Sequence, residues 1–424
     1  MKKITLAKLI VLLITVGTIL SVSVAVFVAA DRNSKAEITV GDIKYTFTFD
    51  EKEQTACLND IDNPEVEQTV TVPGTVLYND KEYTVTDLSW SYPFSTTDRR
   101  PNVAGLILPN TLQNVHGVSF YKFPGLTEIS IPGSIENFDG SFQNSKLLTG
   151  IVFEEGVKEI SSNTMIYNCT SLVSISLPSS LRIISGPGVF SNATALKSIN
   201  LPEGVIFTEN LAFSGCTSLT DIELPASVTE IPAEAFQDCT ALTSVTAKGS
   251  ITSIGRYAFS GASSLKTIPD LSHVSEMGVN AFYNCTALGC AVDLSSLINI
   301  PDKAFSYAPI SEVTFCDHLE SIGIWAFIGG HMTTVNFPET LQSIGTYAFW
   351  DAGALTGSVT IPESVTYIGT CAFQGTSVTE LFIDSGLTEI PNGAFSNNVN
   401  LKKVTFDNSE EDVLISDGAI PDGV

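Results

Sequence analysis

A short pattern of alternating apolar and polar residues recurs along most of the chain. In the segment CTSLTDIELPASVTEIPAEAF, apolar Leu219, Ile222 and Leu224 alternate with polar residues, as in a strand with one buried face. Pro225 ends this strand, and a second apolar stretch, residues 228–231, leads through a turn to an Ala-Phe pair. Each copy of the pattern therefore predicts a strand, a turn, a short return segment and a corner.

The corner recurs at a nearly fixed interval. Its apolar anchor residues are spaced 22 to 24 residues apart, at Phe120, Phe142, Ile166, Phe190, Phe213, Phe236, Phe259, Phe282, Phe305, Phe327, Phe349, Phe373 and Phe395. A period of this size indicates stacked supersecondary units, none of which buries its apolar face alone. The sequence therefore predicts a mainly β fold, a parallel β-solenoid of about 13 repeats.

Three further segments flank the array, which is expected over residues 96–406. Residues 31–95 predict short strands with a hairpin at Asn79-Asp80, and we expect them to form a small N-terminal β cap. Residues 407–424 are a short acidic tail, which is thin for the polar cap that the end of a solenoid needs. The interpretation that the chain is a piece of a longer protein therefore stays open.

The first thirty residues have the features of an export signal. Lys2, Lys3 and Lys8 precede an uncharged, mostly apolar run, residues 9–30. This run is long enough to cross a bilayer as a helix, so both cleavage after Ala30 and retention as a membrane anchor stay open. Because lysines favour the cytoplasmic side, either outcome predicts a secreted or cell-surface protein.

The net charge of the chain limits the classes of partner that it is expected to bind. Lys and Arg number 21 against 46 Asp and Glu, which gives a formal net charge of -25. Such a chain repels phosphate backbones and anionic lipid headgroups. We therefore expect no nucleic-acid partner, and membrane contact only through the N-terminal apolar segment if it is not cleaved.

Four of the eight cysteines share one position, three residues after the anchor: Cys169, Cys216, Cys239 and Cys285. Other repeats place Ala or Gly there, so the position selects a small side chain, and we interpret these cysteines as small buried apolar groups. A disulfide between Cys216 and Cys239, in neighbouring repeats, stays open where the geometry allows it.

The sequence contains no familiar catalytic or cofactor motif. Its four histidines lack H-x-x-x-H spacing, and there is no G-x-S-x-G elbow, phosphate-binding loop or C-x-x-C pair. The acidic stretches at residues 60–63 and 407–412 do not fit a calcium loop. We therefore expect no enzymatic activity, no cofactor and no metal site in this chain.

The repeated phrase resembles the BspA-like class of leucine-rich repeats, found on bacterial surfaces and in some protists. The C-x-x-L-x-x-I-x-L-P frame, the I-G or I-P turn and the A-F corner recur in that order over roughly residues 86–406. The resemblance implies a leucine-rich-repeat solenoid and an extracellular adhesin that binds a host or neighbouring-cell protein or glycan. The chain departs from the frame at Pro269 and Asp270, at Ala291 in place of the inner Ile, and at Cys316 in place of Pro.

On a repeat scaffold the outward side chains of the strands line up, so they are the candidate contacts for a partner. The predicted binding face takes one residue from each of thirteen strands: Ser130, Val152, Ser176, Asn200, Glu223, Thr246, Pro269, Val292, Thr314, Asn336, Thr360, Phe382 and Thr405. Small polar residues dominate, without the Trp, Tyr and Arg clusters of binding hot spots. Val152, Pro269, Val292 and Phe382 interrupt this polar row and are candidate contact points.

Two functional interpretations remain. The first is an extracellular adhesion or recognition protein that binds through many weak contacts and has no catalytic role. The alternative is a structural spacer or surface-layer component, or the non-catalytic part of a longer multidomain protein. The composition of the predicted face is compatible with both, because Ser and Thr also suit a solvated β-sheet that binds nothing.

Overall fold

The computed structural model describes residues 35–90, 99–162, 165–207, 213–384, 386–406, 413–421 and 423–424. These residues form β-strands and turns, with one 3-10 helix at Phe120–Lys122 and no α-helix among them. Within the same residues, no helix has the length and apolar character needed to cross a bilayer. The predicted export segment, residues 1–30, and the acidic stretch 407–412 lie outside the described residues.

The chain divides into two compact units, residues 1–185 and 186–424. The first unit begins with β1 (Lys35–Val40), β2 (Ile43–Asp50), β3 (Thr55–Ile61), β4 (Gln68–Thr71), β5 (Thr75–Tyr78) and β6 (Lys81–Leu88). The strands β5 and β6 form the hairpin predicted at Asn79-Asp80. Both turn residues are left-handed, with φ of 50° and 61°, as a two-residue hairpin loop requires.

The remainder of the first unit alternates between two rows of strands. In chain order they are β7 (Val103–Ile107), β8 (Asn114–Ser119), β9 (Glu128–Ile131), β10 (Asn137–Ser141), β11 (Gly150–Phe153), β12 (Glu159–Ile160), β13 (Ser174–Ser176) and β14 (Ile183–Ile184). Odd-numbered strands pair in parallel with one another, and so do even-numbered strands. The early strands β4 and β6 join these two sheets in parallel, through β7 and β8. The capping role of residues 31–95 stays a prediction.

The second unit repeats this plan with smaller sheets of two to four strands each. Its strands are β15 (Ile206–Phe207), β16 (Asp221–Leu224), β17 (Glu230–Ile231), β18 (Ser244–Ala247), β19 (Ser253–Ile254), β20 (Glu276–Met277), β21 (Ala291–Leu294), β22 (Asn299–Ile300), β23 (Glu312–Phe315), β24 (Ser321–Ile322), β25 (Ser343–Ile344), β26 (Thr356–Ile361), β27 (Tyr367–Ile368), β28 (Ser377–Ile383), β29 (Glu389–Ile390), β30 (Lys403–Phe406) and β31 (Leu414–Ile415). Long strands such as β26, β28 and β30 pair in parallel, and so do short strands such as β24, β25 and β27. The predicted parallel solenoid of about 13 turns is confirmed.

The anchor residues form the core of the repeats. In the second unit, nine successive ring pairs from Phe190 to Phe395 have centroids 4.9–5.7 Å apart and planes within 16° of parallel. In the first unit, Phe120 and Phe142 stack in the same way at 4.6 Å. Each anchor is thus covered only when the next repeat is in place, which explains why a single repeat is not stable alone.

The corners depend on left-handed backbone. In the repeats from Phe236 to Phe395, the residues two before and two after the anchor have φ between 56° and 77°. Glycine adopts this conformation without strain, and Asn and Asp adopt it more readily than other residues. Several repeats nevertheless place a tyrosine or tryptophan there.

The four cysteines that follow the anchors are fully buried, as predicted. Each Sγ donates a hydrogen bond of 3.0–3.1 Å to the carbonyl oxygen of the anchor one repeat earlier. All eight cysteines are free thiols, so Cys216 and Cys239 are not joined. Burial raises the pKa of Cys169 and of Cys216 to about 12, which keeps both thiols protonated.

Candidate binding face

The long strands direct every second side chain away from the core, and these side chains align between repeats. In the first unit, Val152 of β11 pairs in register with Ser130 of β9 and with Ser176 of β13. In the second unit, Glu223 of β16 pairs with Thr246 of β18. The alignment has a simple cause, because parallel strands of equal repeat length place equivalent residues side by side.

Most of the predicted face is accessible. Eight of its thirteen residues are exposed: Val152, Ser176, Asn200, Glu223, Thr246, Thr314, Asn336 and Thr360. Ser130, Phe382 and Thr405 are half-buried. Pro269 and Val292 are buried, so these two assignments to the exposed row are wrong.

The error at Val292 comes from one additional residue in its repeat. Val292 follows Leu288 by four positions, whereas the usual spacing from this leucine to the inner strand residue is three. Val292 therefore faces the core, with 4% of its surface exposed, and Ala291, predicted as the inner residue, is exposed. Asp293 is the outward residue, since it pairs in register with Thr314.

Pro269 is buried where the long-strand sheet is interrupted. Proline has no N–H to donate to a strand ladder, and only one bridge, between Ser244 and Thr267, joins this repeat to β18. The interruption opens a depression of about 310 Å³, which we call the notch. Its lining includes apolar Ile268, Pro269 and Val292 and charged Lys266, Asp270 and Asp293.

Ion pairs and polar contacts modify the face locally. The Nζ of Lys248 lies 2.6 Å from Glu203 and 3.2 Å from Glu223. The hydrogen bond to Glu203 is the largest cause that raises the pKa of Lys248, and the same bond lowers the pKa of Glu203. All three side chains are solvated, so the pairs add little stability. Near the end of the row, the Nζ of Lys403 lies 5.7 Å from the ring centre of Phe382.

The chemistry of this face suits recognition. Hydroxyls, carboxylates and amides can exchange hydrogen bonds with a partner, and the notch adds a small apolar surface with charges at its edge. Over the described residues, no group of three or more His, Cys, Asp and Glu side chains is placed to hold a metal ion.

The repeat pattern did not mark the aromatic residues at the corners of the second unit as candidate contacts. Tyr307, Trp325, Tyr347 and Trp350 all lie within two residues of an anchor, and all are exposed or half-buried. Their closeness to the anchors was visible in the sequence. Nothing in the periodicity, however, distinguished a ring that packs inward from one that is presented to solvent.

Comparison with known families agrees with the geometry. A sequence model of the BspA type leucine rich repeat region, in six copies, matches residues 100–186, 162–289 and 298–414. These ranges together cover well over half of the chain. No match was found among curated proteins.

Several solved structures are similar. A leucine-rich repeat protein from Bacteroides ovatus has 21% identity and a TM-score of 0.52, over 86% of this chain and 98% of that one. A leucine rich cell surface protein from Faecalibacterium prausnitzii has 21% identity and a TM-score of 0.42, over 88% and 95%. The pneumococcal vaccine antigen PcpA has 17% identity and a TM-score of 0.37, over 91% of each chain. The first of these supports the fold.

Proposed function

Because the chain belongs to the BspA-type leucine-rich repeat family, we propose that it is an extracellular or cell-surface protein that binds a partner and has no catalytic role. The observation that carries the proposal is that exposed side chains of the long strands align from repeat to repeat within each unit, and that the notch interrupts this alignment in the second unit. The lysine-led apolar segment at residues 1–30 supports export.

Binding on such a face is a sum of small contributions. Hydroxyl and carboxylate side chains at each repeat supply hydrogen bonds that are individually weak, and their number sets the affinity. Binding specificity should be greatest where apolar side chains interrupt the polar row, at the notch and at exposed Val152. The partner consistent with this chemistry is a host or neighbouring-cell protein or glycan.

The test is a binding screen of the purified full chain against matrix proteins, plasma proteins, mucins and glycans. An Ile268→Ser/Asp293→Ala variant alters the notch, and Thr229→Ala, an exposed substitution outside the long strands, is its matched control. We expect saturable binding that the notch variant weakens at least tenfold and the control leaves unchanged. Saturable binding that both variants retain would reject the notch as the contact point. Absence of binding across the panel would favour a structural spacer.

A further inference from the structure

A second surface of the second unit carries exposed rings. We define the aromatic corner as Tyr307, Trp325, Tyr347 and Trp350, which belong to the corners of three consecutive repeats. Trp325 and Tyr347 meet edge to face with centroids 6.0 Å apart, and Tyr347 and Trp350 lie 5.6 Å apart. Tyr307 is 42% exposed and Trp350 is 37% exposed. Trp325, Tyr347 and Trp350 thus form a connected patch, Tyr307 lies in the neighbouring repeat, and all four rings remain partly open to solvent.

Three of these residues have a backbone conformation that does not suit them. Tyr307, Trp325 and Tyr347 have φ of 58°, 59° and 57°. Glycine occupies the same left-handed positions in other repeats, for example Gly329 and Gly393. A bulky side chain at positive φ is strained, and such strain is concentrated at functional sites. The ring contacts offset part of this strain, yet they leave the exposure of the rings unexplained.

The backbone holds the rings in fixed positions. The N–H groups of Tyr307, Trp325 and Tyr347 each donate to a carbonyl oxygen of the next repeat at 3.0 Å. Side chains on a backbone fixed in this way lose little additional freedom when a ligand binds. Trp and Tyr are also the side chains most enriched at binding hot spots.

The repeats that carry the aromatic corner are predominantly negatively charged. Residues 304–401 contain nine Asp and Glu and no Lys or Arg, whereas residues 186–303 contain five Lys and Arg. A polar groove of about 490 Å³ lies in the same repeats, and its lining includes Glu320 and Glu339. Glu320 directly precedes β24, and Trp325 follows that strand after two residues. The rings and the carboxylates are therefore presented by the same turns of the solenoid.

One contact shows which chemical group such a ring accepts. The Nζ of Lys303 lies 4.7 Å from the ring centre of Trp325. Attraction of an ammonium or guanidinium group to a tryptophan face is a known source of affinity, and it grows when the site is partly desolvated. Lys303 is the last cation before the acidic stretch, so further cations would have to come from a partner.

We propose that the aromatic corner, together with the carboxylates of the same repeats, binds a lysine- and arginine-rich segment of a partner protein. Cationic side chains lie against the rings, and Glu320 and Glu339 neutralise neighbouring charges. The complementarity rests on the excess of carboxylates in these repeats and on the ring face of Trp325, which already accepts Lys303. This surface is separate from the long-strand face, and the proposal does not depend on binding there.

The test uses the purified full chain and labelled synthetic peptides of alternating lysine and glycine, with arginine-glycine and glutamate-glycine counterparts. Fluorescence anisotropy measures binding across a salt series. Emission of Trp325 and Trp350 provides a second readout, because both are partly open to solvent whereas the third tryptophan, Trp90, is buried. The variants are Trp325→Gly/Tyr347→Gly, in which glycine suits the left-handed backbone, and Glu320→Gln/Glu339→Gln. Tyr167→Ala, an exposed corner tyrosine of the first unit, is the matched control.

We expect saturable binding of both basic peptides and none of the acidic one. The glycine variant should lose at least tenfold in affinity while its thermal transition is kept, and the glutamine variant should bind more weakly with a flatter salt dependence. The Tyr167→Ala control should bind like the unchanged chain. Equal binding by the glycine variant, or by the acidic peptide, would overturn the proposal. Binding of a neutral oligosaccharide that needs the rings and ignores salt would instead assign the surface to glycans.

Discussion

Phe282 offers the sharpest test of how the repeats hold together. Its ring is fully buried, with Phe259 at 4.9 Å and Phe305 at 5.0 Å, and both neighbours are within 9° of parallel. Phe282→Ala should cost about 3–5 kcal/mol in unfolding free energy from lost burial and the resulting cavity. Stacked pairs contribute about 0.5–1.5 kcal/mol each beyond burial, and this substitution removes two of them.

Phe395 supplies the matched comparison, because its only anchor neighbour among the described residues is Phe373, at 5.2 Å. Phe395→Ala removes one ring pair, so its cost should be smaller by about 1 kcal/mol. Urea denaturation followed by circular dichroism measures both variants, and hydrogen exchange shows whether the loss stays near the altered repeat. An equal or larger cost at Phe395 would refute the view that stability is a sum over neighbouring repeats.

Three further outcomes follow from the packing. Gly255→Ala should lower the unfolding free energy by about 3 kcal/mol in urea denaturation, because a Cβ there would lie 2.2 Å from the backbone N of Ala233. Gly289→Ala is the control and should be nearly neutral, because a Cβ at Gly289 would have no atom within 4 Å. Cys216 should resist alkylation in mildly alkaline buffer until the chain unfolds, as mass spectrometry of labelled peptides can show, because burial raises its pKa to about 12. Burial likewise raises the pKa of Tyr45 to about 12, whereas its pKa in the unfolded chain is about 10. The stabilisation that comes from this pKa difference is therefore fully present below a pH of about 10 and is lost as the pH rises through about 12. Tyr45→Phe should remove this pH dependence of the unfolding free energy, as urea titrations at several pH values can show.

The architecture was predictable because stacking imposes its own period on the sequence. Each anchor must meet the next one at 4.9–5.7 Å in the second unit, so insertions that shift an anchor are excluded from the core. The position of the buried cysteines followed from the same constraint. The interpretation of these cysteines as small buried side chains was therefore correct, although the hydrogen bond of each thiol to a carbonyl oxygen was not foreseen.

The details of the face were less predictable, since one residue reverses the direction of a side chain. The additional residue before Val292 is accommodated in a turn, so the anchors keep their spacing while the strand register changes. Pro269 was predicted to lie in the exposed row of the binding face. Instead the chain buries the ring and leaves the adjacent sheet open, which creates the notch that no periodic pattern describes.

The two surfaces differ in how strongly their composition argues for function. Ser and Thr on the long strands satisfy β propensity and solubility at once, so their presence there requires no partner. At the left-handed corners the structural preference is for Gly or Asn, and a tyrosine or tryptophan opposes it. Trp325 and Tyr347 therefore stand where the fold gains least from a large ring, in repeats that also lack basic residues. A feature that the fold does not require is the stronger indication of a selected contact, which makes the aromatic corner the better guide to a specific partner.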